Sequence, residues 1–310
     1  MVAMDLVTTA IVPIVILLLT GAVLKRRVIT DGAFWPGLSW LVYWVFAPAL
    51  FIDAVAGADL GAVALGPLLL ALVVPVLAVA ALTLGLGRLL GVRGPEWGSL
   101  MQGTIRFNTY VGLVFVSALH GSQGVATFAL AVAVLVPLVN LISVVTLAAG
   151  RRASDSGPSV LREVATNPLI LACLVGLAVN LTGLPLPGTV TATLQLLAQP
   201  TLVCGTLLAG AALSLRVDRQ DVKALTLGAV LKLAVLPLAA LAIAVPLGIT
   251  GPMLIALVVI TALPVTPTAA VLASRMGGDV RLMSALIGTQ TVLSVVTLPA
   301  LIALAQRVGG

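Results

Sequence analysis

The stretch Arg106-Phe107-Asn108-Thr109-Tyr110-Val111-Gly112 places polar side chains near the middle of a long apolar run, residues 99–119. A run of that length is long enough to span the hydrocarbon core of a bilayer. A cation, an amide and two hydroxyl groups are costly in lipid, and they are tolerated mainly where they face a cavity or another helix. The sequence therefore predicts that this stretch forms one half of a binding site inside a membrane.

The composition of the whole chain is that of an integral membrane protein. Of its 310 residues, 61% are hydrophobic and only 8% are charged, whereas soluble domains have about 25% charged residues. The basic residues are scattered among short loops, so the net charge of +6 predicts membrane topology and not a nucleic-acid partner. Two cysteines and one histidine do not make a zinc site, and no cofactor is expected.

Ten apolar runs are long enough to cross the bilayer, which predicts an all-α polytopic membrane protein with ten transmembrane helices. We number them as spans 1 to 10. They cover approximately 6–24, 36–56, 66–87, 99–119, 123–148, 167–183, 190–214, 223–247, 252–274 and 281–305.

The basic residues orient these spans in the cell inner (plasma) membrane. If the N-terminus is outside, thirteen of the sixteen Lys and Arg residues fall in cytoplasmic loops, and only Arg307 lies outside. Such a bias towards the cytoplasm is the usual signature of topology. Both termini are therefore expected outside.

The most polar stretch, residues 150–163, divides the spans into five and five. Because five is odd, two homologous halves would be inverted relative to each other. Prolines recur at similar positions in the two halves, 152 to 162 residues apart, and the matched pairs are Pro13 with Pro168, Pro48 with Pro200, Pro75 with Pro237 and Pro137 with Pro299. The predicted units are a first repeat 1–149, a linker 150–166 and a second repeat 167–310; chance matches among 18 prolines are the alternative.

Span 9 contains Pro264 and Pro267 near its middle, in the sequence Thr261-Ala-Leu-Pro-Val-Thr-Pro-Thr-Ala269. Two prolines remove backbone donors and predict a broken helix, with Thr266 as N-cap and Pro267 as first helical residue, although a simple kink is the alternative. In span 4, Asn108 or Thr109 would cap a second half-helix. Two restarting N-termini with free N–H groups at mid-depth would favour a small anion.

The predicted substrate-binding residues are therefore Asn108, Thr109, Tyr110, Pro264, Thr266, Pro267 and Thr268. Three charged residues have a possible pathway role. Arg106 contacts substrate or extends to the cytoplasmic face, and Lys232 in span 8 either lines the pathway or, as we expect, extends to the surface. Asp53 near the outer end of span 2 is a weak candidate for proton coupling. Six amide side chains within the spans are expected to form interhelical hydrogen bonds, namely Gln102, Asn140, Asn180, Gln195, Gln199 and Gln290.

At this point the pattern resembles the auxin efflux carrier family, the prokaryotic relatives of PIN-type carriers, over nearly the whole chain. The similar segments are Phe46-Ala-Pro-Ala-Leu-Phe51 in span 2, Arg106-Phe-Asn-Thr109 with Gly112 in span 4, Asn167-Pro-Leu-Ile170 in span 6, and Ala270-Val-Leu-Ala273 before Gly277-Gly-Asp279 in span 9. Their order and spacing together, not any single segment, carry the resemblance.

The resemblance implies two inverted five-helix repeats in which broken helices 4 and 9 cross. It implies a scaffold of spans 1, 2, 6 and 7, a transport domain of spans 3–5 and 8–10, elevator-like movement and often a homodimer. One departure is that family members often carry an asparagine in the span 9 crossover, where this chain has Thr268 or Pro267.

The leading interpretation is a secondary transporter for a small organic anion, such as a carboxylate or an auxin-like acid, with H⁺ or Na⁺ as a possible coupling ion. A sodium-coupled symporter of the bile-acid type is the related alternative, although the crossover has no carboxylates. An intramembrane enzyme would need a nucleophile–base pair or a metal set, which the spans do not offer. A membrane channel is a further alternative.

Overall fold

The computed structural model describes residues 12–57, 65–92, 94–149, 166–183, 186–212 and 218–309. These residues are almost entirely helical and include no β-strand. Residues 1–11 and most of the predicted linker 150–166 lie outside the described residues. The all-α prediction is confirmed.

Fourteen α-helices are described, and three short π-helical turns extend or join them, at Leu24–Val28, Val42–Phe46 and Leu231–Val235. The helices are α1 Val12–Val23, α2 Phe34–Leu41, α3 Ala47–Ala56, α4 Leu65–Leu89, α5 Pro95–Ile105, α6 Thr109–Ala149, α7 Pro168–Thr182, α8 Gly188–Ala198, α9 Pro200–Ala211, α10 Val222–Val230, α11 Leu236–Ala244, α12 Gly251–Ala262, α13 Thr268–Arg275 and α14 Val280–Val308.

Within the described residues, 6 helical stretches are long and apolar enough to cross a membrane. α7 and α12 are equally apolar but shorter, with 15 and 12 residues. One of the six stretches, Pro95–Ala149, is interrupted twice, because residues 106–108 are not helical and His120 and Gly121 leave the helical conformation. The second interruption coincides with the predicted loop between spans 4 and 5. The chain is a multispanning membrane protein, and the count of ten spans stays a prediction.

The helices pack in two groups. In the first, α1 packs against α9, and α3 packs against α7 and α8. In the second, α4 packs against α5 and α11, α12 packs against α14, and α5 also packs against α14. Helix α6 contacts α9 of the first group and α12 of the second, so it connects the two groups.

The contact between α1 and α9 depends on two glycines that allow the backbones to touch. A Cβ atom built on Gly21 would lie 2.1 Å from the carbonyl oxygen of Leu207, and one built on Gly210 would lie 2.0 Å from that of Leu18. Small residues permit such close approach between helices in membranes, where van der Waals packing contributes much of the association energy. These two positions therefore fix the distance between α1 and α9.

We predict that Gly210→Ala lowers the apparent melting temperature of the detergent-purified protein. The new methyl group meets backbone atoms that cannot rotate away, so the helices must separate, at a cost of about 1–3 kcal/mol. Gly85→Ala in α4 is the matched control, because nothing lies within 4 Å of its Cβ position. That variant should be neutral or slightly more stable. Equal melting temperatures for the two variants would contradict the close packing of α1 on α9.

Candidate functional site

The first helix break lies between α5 and α6. Helix α5 ends at Ile105, and Arg106 adopts an extended conformation with φ −74° and ψ 157°. Helix α6 begins at Thr109, and the side-chain oxygen of Asn108 accepts hydrogen bonds from the N–H groups of Tyr110 (3.2 Å) and Val111 (3.4 Å). Asn108 is therefore the N-cap of α6, a role for which asparagine is well suited.

The second break lies between α12 and α13, at the predicted prolines. Helix α12 ends at Ala262, Leu263 is extended, and α13 begins at Thr268, one residue later than expected. The hydroxyl oxygen of Thr266 accepts from the N–H of Thr268 at 3.4 Å. Because Pro264 and Pro267 have no N–H to donate, an uninterrupted helix would lack two of its bonds here.

The expectation that both helix starts present free N–H groups is partly wrong. Asn108 occupies two of them at α6, and Thr266 occupies one at α13. Side-chain caps satisfy helix N-termini in this way throughout proteins. The positive ends of the helix dipoles remain. The hydrogen-bond donors that a ligand could use are therefore mainly those of side chains.

The two breaks are joined directly to each other. The backbone N–H of Asn108 donates to the carbonyl oxygen of Pro264 at 2.9 Å, across 156 residues of sequence. Asn108 is only 1% exposed, and Pro264 is also buried. The interrupted segments therefore cross inside the protein and not at its surface.

Gln290 on α14 fixes the surroundings of this crossing. Its side-chain oxygen accepts from the N–H of Val265 at 3.0 Å, inside the second break. Its amide nitrogen donates to the carbonyl oxygens of Gly103 on α5 (2.8 Å) and Gly228 on α10 (3.2 Å). One buried amide thus links α14, α5, α10 and the unwound part between α12 and α13.

Two buried amide groups at the crossing have no hydrogen-bond partner for their nitrogen among the described residues, Asn108 Nδ2 and Gln102 Nε2. Their orientation is fixed, because the oxygen of Asn108 caps α6 and the oxygen of Gln102 accepts from Arg106 at 3.1 Å. Buried polar groups are nearly always paired, so unpaired donors need an explanation. Both groups are donors, which suits an acceptor such as a carboxylate.

Arg106 connects the two breaks through its side chain. Besides the bond to Gln102, its guanidinium donates to the hydroxyl of Thr268 at 3.3 Å, and that hydroxyl lies 3.1 Å from the hydroxyl of Thr266. Arg106 therefore contacts the opposing half-helix and does not extend only towards the cytoplasmic face. Guanidinium, hydroxyls and amides converge on the same small region.

The expectation that Lys232 extends to the membrane surface is wrong. Lys232 is 1% exposed, and its ammonium nitrogen lies 6.0 Å from the centre of the Phe107 ring. It belongs to the π-helical turn Leu231–Val235, where Leu231, Lys232 and Leu233 are all buried. A side chain surrounded by helices on all sides has no lipid interface within its reach, whatever its length.

The other predicted residues are less central. Thr109 and Tyr110 are partly buried at the start of α6, and a Cβ built on Gly205 of α9 would lie 2.7 Å from Cβ of Tyr110. Tyr110 therefore faces the first helix group. Asp53 on α3 lies beside Gln195 on α8, within the first helix group. Among the described residues no cluster of His, Cys, Asp or Glu could hold a metal ion.

A small crevice opens beside the crossing, between the two helix groups. It is next to Val111, whose N–H is bound by Asn108. Its lining comes from α1, α6 and α14, namely Val15, Leu18, Val111, Phe115, Thr291, Ser294 and Val295.

Comparison with known proteins agrees with this architecture. The profile of the family described as membrane transport protein matches residues 6–302. A protein of Methanothermobacter thermautotrophicus, described as an uncharacterized transporter, is 27% identical over 301 residues, which cover 94% of this chain and 96% of that protein. The match extends over both helix breaks and confirms the resemblance to auxin efflux carriers. The chain belongs to the membrane transport protein family.

Proposed function

We propose that the protein is a secondary transporter that carries a small organic anion, such as a carboxylate or an auxin-like acid, bound at the crossing of the two broken helices. The observation that carries this proposal is the buried amide nitrogen of Asn108, which has no partner among the described residues. Leaving such a donor unpaired costs about 1–3 kcal/mol. A bound acceptor removes that cost.

The electrostatics of the crossing favour an anion over a cation. The groups that converge there are the guanidinium of Arg106, the amide nitrogens of Asn108 and Gln102, and the N-terminal ends of α6 and α13. Thr266 and Thr268 add hydroxyls from the opposing half-helix. In a medium of low dielectric constant these terms are larger than in water. Secondary transporters commonly build their sites from discontinuous helices in this manner.

The packing of the helices into two groups supplies the two bodies that an elevator-type movement needs. We assign α1–α3 and α7–α9 to the scaffold, and α4–α6 and α10–α14 to the transport domain, which carries the crossing. An inverted repeat that exchanges the halves relates span 1 to span 6 and span 7 to span 2. It therefore relates the contact of α1 with α9 to the contact of α7 with α3, and both contacts are extensive.

The rest of the proposal follows from the charge pattern and the family. The protein is placed in the inner (plasma) membrane with both termini outside and acts as a homodimer. No cofactor takes part, and the coupling ion is H⁺, Na⁺ or none.

We predict that Asn108→Ala abolishes most anion binding. Removing one hydrogen bond to a charged ligand costs about 1.5–3 kcal/mol, which is roughly tenfold or more in affinity. Acetate, pyruvate, succinate and indole-3-acetate are first tested for thermal stabilisation of the wild type, because a ligand that binds the native state raises its apparent stability. Affinity and counterflow in proteoliposomes are then measured with the most stabilising one. Saturable counterflow also distinguishes a carrier from a channel.

Two further variants separate binding from folding. Asn108→Ser keeps an oxygen that can cap α6 but lacks the amide nitrogen, so it should fold like the wild type and still lose affinity. Asn180→Ala removes an amide that donates to Val55 and Ala56 in the proposed scaffold, so it should bind normally even if it is less stable. Full affinity and turnover in both Asn108 variants would place the binding site elsewhere.

We also predict that linking the two helix groups stops transport. Val15 on α1 and Val295 on α14 line the same crevice, so cysteines at both positions can be joined by a short reducible bis-thiosulfonate reagent. Cys173 and Cys204 are first replaced by alanine, since both are free thiols. Counterflow should stop on linking and return on reduction, because the proposed transport domain can no longer slide past the scaffold.

The single variants Val15→Cys and Val295→Cys are the controls for this experiment. The reagent modifies each of these cysteines but cannot link the two helix groups. Both single variants should keep their counterflow after treatment. Continued transport with Val15 and Val295 fully linked would exclude relative movement of the two groups.

A further inference from the structure

Lys232 is a buried charge directly behind the unwound segment of the first break. Its ammonium nitrogen lies 6.0 Å from the ring of Phe107, and Phe107 is the neighbour of Asn108 in the non-helical stretch 106–108. The side chain is 1% exposed, which places it among the largest fully buried side chains of the described residues.

The local backbone explains how a lysine comes to point inward here. Residues 231–235 form a wide π-helical turn, closed by a bond from the N–H of Leu236 to the carbonyl oxygen of Leu231. Pro237 follows at once, and its ring would collide with the carbonyl of Leu233 in a regular α-helix. The wider turn relieves that collision and changes the direction of the side chains. Such turns occur often at functional sites.

The charge on Lys232 has no counter-charge within the described part of the chain. Within that part, Arg281 forms ion pairs with Asp218, Asp221 and Asp279, and no carboxylate is paired with Lys232. The face of the Phe107 ring offsets only part of the lost hydration of an ammonium group. An isolated buried charge of this kind lowers the stability of the empty protein.

Arg106 is not an isolated buried charge of the same kind. Its guanidinium is only partly buried and already donates to Gln102 and Thr268. Lys232 is fully buried and lies beside Phe107 of the same non-helical stretch. The crossing therefore has a positive charge that the described protein groups leave unbalanced.

We propose that Lys232 supplies the fixed positive charge that balances the negative charge of the substrate anion at the crossing. This inference rests on the proposed function of the crossing as an anion site. It makes the site selective for carboxylates over their neutral amides of the same shape. In the empty protein the buried ammonium group has an unfavourable free energy, and the charge of the bound anion lowers it.

The test uses Lys232→Met, a neutral side chain of similar length, and the carboxylate among acetate, pyruvate, succinate and indole-3-acetate that stabilises the wild type most. The variant should bind that carboxylate at least about tenfold more weakly, which corresponds to about 1.4 kcal/mol. Binding of the corresponding neutral amide, measured in parallel, should be unchanged. The ligand-free variant should melt at the same temperature as the wild type or higher, because a buried unbalanced charge is gone.

Lys223→Met is the matched control, because this exposed lysine begins the same helical segment. It should change neither carboxylate affinity nor melting temperature. Lys232→Gln removes the same charge with a polar side chain, so the affinity test holds even if methionine packs poorly.

The outcomes separate this inference from the proposed function. If wild type and both Lys232 variants bind the carboxylate equally well, the inference is wrong and the anion site stands. If both ligand-free variants melt below the wild type, Lys232 has a structural role and the inference is wrong. If none of the four carboxylates stabilises the wild type, the proposed function fails and this inference fails with it.

Discussion

The hydrogen bond from the backbone N–H of Asn108 to the carbonyl oxygen of Pro264 joins two helices that are both interrupted inside the protein. Backbone polar groups within a bilayer must be paired inside the protein, because lipid offers no partner. Two breaks at separate places would each leave unpaired groups. Placed against each other, they pair at one point, and the side chains of Asn108, Thr266 and Gln290 pair four further N–H groups.

The prediction of both breaks from sequence succeeded because their causes are local. Proline removes a donor and obstructs the preceding turn wherever it occurs, so Pro264 and Pro267 predict an interruption without knowledge of any neighbour. Asparagine and threonine cap helices through their own nearby backbone, so Asn108 and Thr266 are also visible in the sequence. The start of α13 differed from the expectation by a single residue, which is the usual uncertainty of helix ends.

What the sequence did not predict depends on how helices are rotated about their axes. The interhelical hydrogen bonding expected of Gln290 is confirmed, but nothing in the sequence identifies its partners Val265, Gly103 and Gly228. Lys232 is expected at the surface, although it lies near the middle of span 8, because the long side chain of a lysine within a span usually extends to the interface. The π-helical turn that carries it could have been suspected only from Pro237, and the close approach at Gly21 and Gly210 only from knowledge of which helices meet.

Polar side chains inside the protein are used in two different ways. Gln290 and Asn180 use their amide groups to hold helices together, as a purely structural group should. Asn108 uses its oxygen for structure and keeps its nitrogen free, and Lys232 is buried without a carboxylate partner among the described residues. Selection for stability alone would pair such groups or replace them with apolar ones, whereas function commonly retains unfavourable groups. Under the proposed function, the divided use of Asn108 connects folding to binding, because the bond that caps α6 also fixes the orientation of the unpaired amide nitrogen.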